Sequence, residues 1–176
     1  MENIIFCSSP FQVLVAKEVV QTVSEDFIGI YLKMSNDVRQ SFYAERMAEF
    51  CKEVIVLEGN TVLNDVKVVL KDKSIRNLYL ASLDNTVALS VFNPNTMNLY
   101  TFDDGSTSIV PLNLYTQNLE MSIPYTNFTL REVISLSNRH YTVFEDCILF
   151  PKEKQVFLKL HLEPSHFLRA KNGKKI

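Results

Sequence analysis

Residues 101–108 read TFDDGSTS, two adjacent carboxylates and a glycine directly after an apolar run, in a chain with only 4 glycines. Paired carboxylates at the end of a strand can act as a general base, bind sugar hydroxyls or hold a metal, because one stays ionised while its neighbour keeps its proton. Gly105 permits a turn with positive φ, so a plain Asp-Gly turn accounts for the same residues. Asp103 is the candidate base, and Asp104 and Gly105 are candidate substrate contacts. A second stretch, CSSPFQ (7–12), sets hydroxyls and free amides at a helix start, where an anion or a hydroxyl can bind. Ser8, Ser9 and Gln12 are the candidates there, with helix capping by Ser9 as the plainer alternative.

Other chemistry finds less support. His140 opens HYTVFED and is either a substrate contact or a satisfied residue beside a strand. His161 and His166 have no acidic or cysteine ligand at metal spacing, so no metal site is expected. There is no DxD, HExxH or GxSxG motif, no glycine-rich dinucleotide fingerprint and no P-loop. The 7 tyrosines and 12 phenylalanines scatter through apolar segments, as core residues do, and form no base-stacking platform.

The elements that must position these residues alternate. Asn3–Cys7 reads as a buried strand, followed by a helix with Ser9 as N-cap, Pro10 first in the helix, and an end near Thr22. Phe27–Lys33, Glu53–Leu57, Arg76–Leu80 and Asn98–Phe102 read as further strands. Helices are expected over Asn36–Cys51, Thr61–Leu70 and Asn85–Phe92, the last stopped by Asn93-Pro94. Such alternation implies crossover units and a Rossmann-like α/β domain, a parallel sheet with helices on both faces. Ligands then bind beyond the carboxyl ends of the strands, where both candidate stretches fall. After residue 105 the alternation weakens. Leu130–Ser137 is expected as a short helix, His140–Phe144 as a strand, and 147–164 as an irregular apolar segment.

Composition sets the bounds. The chain has 176 residues, 47% hydrophobic and 22% charged, enough for one domain with a sizeable core. A net charge of -2 gives no footprint for nucleic acid. Cys7, Cys51 and Cys147 are widely spaced, lack a CxxC pairing, and read as reduced thiols of a cytoplasmic protein. The start carries no basic, long-apolar leader, so the chain is expected to be soluble or at most peripheral to a membrane. Arg169, Lys171, Lys174 and Lys175 could touch an anionic surface, although a solvated tail is the plainer reading.

With these stretches placed, the chain resembles the bacterial glycosyltransferase family 52, the lipooligosaccharide sialyltransferases and their relatives. Three ordered blocks carry the resemblance: NIIFCSSPFQVLVAKEV at the start, NLYLASLDNTVALSVF (77–92) followed by LYTFDDGSTSI (99–109), and RHYTVFED (139–146). The resemblance implies a two-domain GT-B-type fold with the active site between two Rossmann-like halves. It implies transfer of sialic acid from CMP-sialic acid to a galactose hydroxyl of a bacterial lipooligosaccharide or capsular glycan, with no cofactor and no metal in the chemical step. A carboxylate would deprotonate the acceptor while a histidine and hydroxyls stabilise the departing phosphate.

The chain departs from the family in length and in its histidines. Family members are about twice as long, and their second half carries the donor site and a His-Pro segment. Here His140 precedes Tyr, His161 precedes Leu and His166 precedes Phe. The expectation is therefore an N-terminal, acceptor-side domain over 1–146, with 147–176 beginning the linker to an absent donor domain. Such a chain would be inactive alone and would pair with its missing half or with a second copy. Asp103 as base follows a related sialyltransferase family, whereas family 52 draws its base from the second half. The alternative is a non-catalytic sugar-binding or assembly domain.

Overall fold

The computed structural model describes residues 1–35, 37–110 and 114–162. The basic residues of the tail and His166 lie outside these residues. Seven strands form one all-parallel sheet: β1 (Glu2–Cys7), β2 (Phe27–Lys33), β3 (Glu53–Glu58), β4 (Ile75–Leu80), β5 (Asn98–Phe102), β6 (Ser137–Thr142) and β7 (Gln155–Phe157). Their order is β3-β2-β1-β4-β5-β6-β7. The connections carry helices α1 (Pro10–Val23), α2 (Val38–Arg46), α3 (Val62–Val69), α4 (Thr86–Leu89), α5 (Leu114–Gln117) and α6 (Leu130–Leu136). This is the Rossmann-like architecture expected from the alternation.

The strand order reverses between β1 and β4. Right-handed crossovers that run in opposite directions from such a point place their helices on opposite faces of the sheet. The core divides accordingly. Alternate residues of β1 serve the two sides: Ile4 and Phe6 pack with Val66, Leu89 and Val133 of α3, α4 and α6. Ile5 and Cys7 pack with Val13, Ala16 and Val19 of α1 and with Tyr43 and Ala44 of α2. Each such large apolar side chain contributes roughly 1.5–3 kcal/mol by leaving water. Gly29 of β2 admits a close approach: a Cβ there would lie 2.6 Å from the Met47 methyl and 3.1 Å from Cys51 Sγ.

Local chemistry starts the helices. Ser9 is extended and accepts a hydrogen bond from the Gln12 amide, with Pro10 next in the chain, so α1 is capped as expected. Thr129 and Glu132 form a reciprocal capping box on α6. At the amino ends of the strands, the side chains of Asn3, Asn77, Asn98 and Asn138 join successive strands at 2.8, 2.9 and 3.3 Å.

Two expectations need correction. The strand expected over His140–Phe144 starts three residues earlier and ends at Thr142. Ser137, Asn138 and Arg139 are polar, yet pairing with β5 recruits them. The segment after Cys147 is also more regular than its sequence suggests. It contributes β7, which pairs with His140–Thr142, and buries Cys147, Phe150 and Leu158. The expected boundary at residue 146 thus falls between two strands of one sheet. No helix among the described residues is long and apolar enough to cross a membrane.

Candidate functional site

The two candidate stretches leave the carboxyl ends of β1 and β5, the strands on either side of β4, and a single side chain joins them. Gln12, in the first turn of α1, is 3% exposed. Its Oε1 accepts from the Ser8 backbone N–H at 2.6 Å and from Ser8 Oγ at 3.2 Å. Its Nε2 donates to Asp104 Oδ1 at 2.6 Å and to Ser82 Oγ at 3.3 Å. The amide orientation is fixed by chemistry, since a backbone N–H only donates and a carboxylate oxygen accepts. Ser82 Oγ then donates to Asp104 Oδ2 at 2.6 Å. The loops after β1, β4 and β5 are thereby tied together around the Asp104 carboxylate, at the point where the strand order reverses. Asp104 is half-buried, and Gly105 follows it at φ +74°, which a non-glycine residue would hold only with strain.

Asp103 points the other way, as alternation along an extended chain requires. It is fully buried, as is Thr101, and His140 is 2% exposed. Val143 N–H donates to Asp103 Oδ2 at 2.7 Å, and His140 Nε2 lies 3.2 Å from Oδ1. On the far side of the ring, His140 Nδ1 lies 3.0 Å from Thr101 Oγ1, which meets Ser137 Oγ at 2.9 Å. The ring stacks on Phe150 at 4.2 Å between centroids and 9° between planes. A carboxylate with no exposed surface does not reach an acceptor hydroxyl in this conformation, nor does a histidine enclosed with it. Asp103 and His140 lock the ends of β5 and β6, so the base expected at Asp103 and the substrate contact expected at His140 are not presented to solvent. Asp104 is the carboxylate that faces outward.

Of the remaining candidates, Ser8 and Ser9 are half-buried. Ser9 serves as the helix cap, while Ser8 belongs to the Gln12 network. The residues missed from the sequence are Ser82, Asp84 and Tyr115. Tyr115 Oη donates to Asp84 Oδ1 at 3.0 Å. Burial pushes the Tyr115 hydroxyl well above the usual tyrosine range, and the Asp84 and Asp104 carboxylates add to the shift. Burial also raises the Cys7 thiol, which sits beneath this loop cluster. The stretch ASLDN directly follows β4, so the rule that ligands bind beyond strand carboxyl ends applied to it as well. No group of three or more His, Cys, Asp or Glu side chains suited to a metal occurs among the described residues.

Ser8 and Ser82 also line a cleft of about 480 Å³ at the carboxyl ends of β2, β3 and β4. That volume lies within the range of roughly 300–1,000 Å³ typical of small-molecule sites.

Comparison with known proteins places this site in context. No family model matches the chain. It is 24% identical over 193 aligned positions to the CMP-N-acetylneuraminate:beta-galactoside alpha-2,3-sialyltransferase of Pasteurella multocida, covering 99% of this chain and 59% of that protein. It is 25% identical over 161 positions to the N-acetyllactosaminide alpha-2,3-sialyltransferase of Haemophilus influenzae, covering 81% of this chain and 53% of that protein. The chain thus spans between 53% and 59% of the length of these curated relatives. The resemblance read from three sequence blocks holds: the chain's curated homologues are alpha-2,3-sialyltransferases of Pasteurella and Haemophilus.

Proposed function

We propose that the chain is the acceptor side of a GT-B-type sialyltransferase, presenting a galactose hydroxyl to sialic acid carried on CMP-sialic acid. In the transfer, the acceptor oxygen bonds to the anomeric carbon of sialic acid while the bond from that carbon to the phosphate oxygen of CMP breaks. The electron pair leaves with CMP, and the hydroxyl proton passes to a base. Asp104 accepts a hydrogen bond from the acceptor hydroxyl and orients it, with Gln12 and Ser82 fixing the carboxylate. Asp103 acts only through the loop it anchors.

The observation that carries this reading is the outward Asp104 carboxylate at the reversal of strand order, in a chain homologous to two sialyltransferases. The donor side is supplied by a further domain or by another chain. The acceptor is a terminal galactose of a surface glycan such as lipooligosaccharide or capsule. The reaction takes place in the cytoplasm or at the inner face of the membrane.

The test is sialyl transfer from CMP-sialic acid to lactose, assayed with the 176-residue chain alone alongside lactose binding. Binding without turnover is the expected result. Turnover at ordinary enzyme rates would overturn the assignment to one half of the enzyme, and absence of lactose binding would overturn the acceptor role. A second reading, an assembly domain, is favoured by Ile148, Phe157 and Leu162, which are exposed on the segment that includes β7, the last strand of the sheet. Sedimentation decides it, since a monomer at high concentration removes its support.

A further inference from the structure

The cleft beside the Asp104 clamp has no role in the reading above, and its chemistry is distinctive. Buried Leu32 and Leu57 and half-buried Val62 and Val87 supply apolar lining at its wall. Asn60 and Asp84 add polar groups to the same lining. Asp84 spends Oδ1 on Tyr115, and its Oδ2 receives no hydrogen bond among the described residues. The one cation among the described lining residues, Lys33, is paired with Glu58 at 3.2 Å. The cation is thus compensated, Asp84 adds a carboxylate to the lining, and no glycine-rich loop cradles an anion, so a phosphate finds no strong partner here. Apolar wall plus hydroxyl acceptors is the lining that suits an uncharged pyranose, which presents a C–H face and a rim of hydroxyls.

We infer that this cleft holds the second sugar of the acceptor, the residue to which the terminal galactose is linked. The inference rests on the acceptor role proposed above. Ser8 and Ser82 make the connection, because each lines the cleft and each also hydrogen-bonds within the Gln12–Asp104 network. A galactose at Asp104 therefore has its neighbouring sugar directed across these two serines. The chain then reads a disaccharide, with the clamp selecting the terminal hydroxyl and the cleft selecting what lies behind it.

The experiment compares lactose with methyl β-galactoside by calorimetry and saturation-transfer NMR on the 176-residue chain. Wild type is expected to bind lactose at least roughly tenfold tighter, a difference of about 1.4 kcal/mol. Val62→Phe fills the cleft and is expected to reduce lactose affinity to that of the monosaccharide while leaving methyl β-galactoside binding unchanged. Asn60→Ala, on an exposed loop where folding is not at stake, is expected to weaken lactose alone. Equal affinity for the two sugars in wild type, or full lactose affinity in both variants, overturns the inference. In that case Asp104→Asn still abolishes galactoside binding and the acceptor role survives. Absence of any galactoside binding overturns both.

Discussion

The two ends of the sheet are both rich in polar residues, and they satisfy them in different ways. At the amino ends, charge meets charge: Lys52 with Glu2, Lys73 with Glu53, and Arg76 with Glu25, beside a row of asparagine amides. At the carboxyl ends, the Lys33–Glu58 pair apart, carboxylates meet amides and hydroxyls: Asp104 with Gln12 and Ser82, Asp103 with the Val143 amide, Asp84 with Tyr115. An ion pair cancels its own field, whereas a carboxylate held by neutral donors keeps its charge and gains a fixed direction. The second arrangement is the one that can act on a ligand. Most charged pairs of the amino end are solvent-exposed and contribute little to either stability or chemistry.

The contrast can be broken most severely at the buried lock. Asp103→Ala leaves the Val143 amide and the enclosed His140 ring without their acceptor, and we expect a loss of about 3 kcal/mol, within the range for unmade buried hydrogen bonds. Urea unfolding measures it, and a loss below about 1 kcal/mol would show that the lock is not structural. Gln12→Leu comes next, at about 2 kcal/mol, because the Ser8 N–H loses its acceptor and Asp104 Oδ1 loses the Gln12 donor in one step. Its distinguishing outcome is loss of lactose binding in protein that still folds, and retained binding would remove Gln12 from the site.

Tyr115 offers a smaller effect that depends on pH. Unfolded tyrosine titrates near 10, and the folded hydroxyl holds its proton to higher pH. A group raised on folding contributes fully below its unfolded value and loses that contribution as pH climbs above it. Stability should therefore fall above about pH 10, and Tyr115→Phe should lessen the fall while costing roughly 1 kcal/mol at neutral pH. Tyr31, pushed up to about 12 by burial, adds a fall of the same sign that the substitution leaves in place. An unchanged profile in the variant would mean that the Tyr115 hydroxyl is not held protonated to higher pH by its burial in the fold. Smallest of all, Arg76→Gln at the amino end should change stability by less than about 0.5 kcal/mol. A larger loss would erase the distinction between the two ends.

How much of this was legible in the sequence differs by region. Phe27–Lys33 and Asn98–Phe102 form strands over the limits read from their aromatic and β-branched residues, because intrinsic preference and burial agree there. The sheet beyond β5 was harder. Ser137, Asn138 and Arg139 join β6 only because β5 offers an edge, and β7 is three residues long. Pairing of that kind is tertiary and leaves no periodicity to read. The same gap decided the carboxylates. Asp103 and Asp104 look alike in sequence, and alternation says only that they point oppositely. Which one is enclosed depends on Val143 and His140 at the end of β6, the strand whose limits the sequence misplaced. Gln12 was legible as a polar residue in a first turn, but its reach of 92 positions to Asp104 was not.

The central position of β1 also has a consequence in time. Its first neighbour, β2, lies nearby in the chain, but its second, β4, begins at Ile75. A nascent chain shorter than this leaves one backbone edge of this buried strand unpaired, and at about 5–20 residues per second of synthesis that exposure lasts seconds. Among the described residues, the last contact to close reaches back further still, from His161 to Glu18 on α1, across 143 positions. The first helix to be made is thus among the last to acquire all of its partners, and the loop that it fixes around Asp104 can be completed only after β5 has joined the sheet.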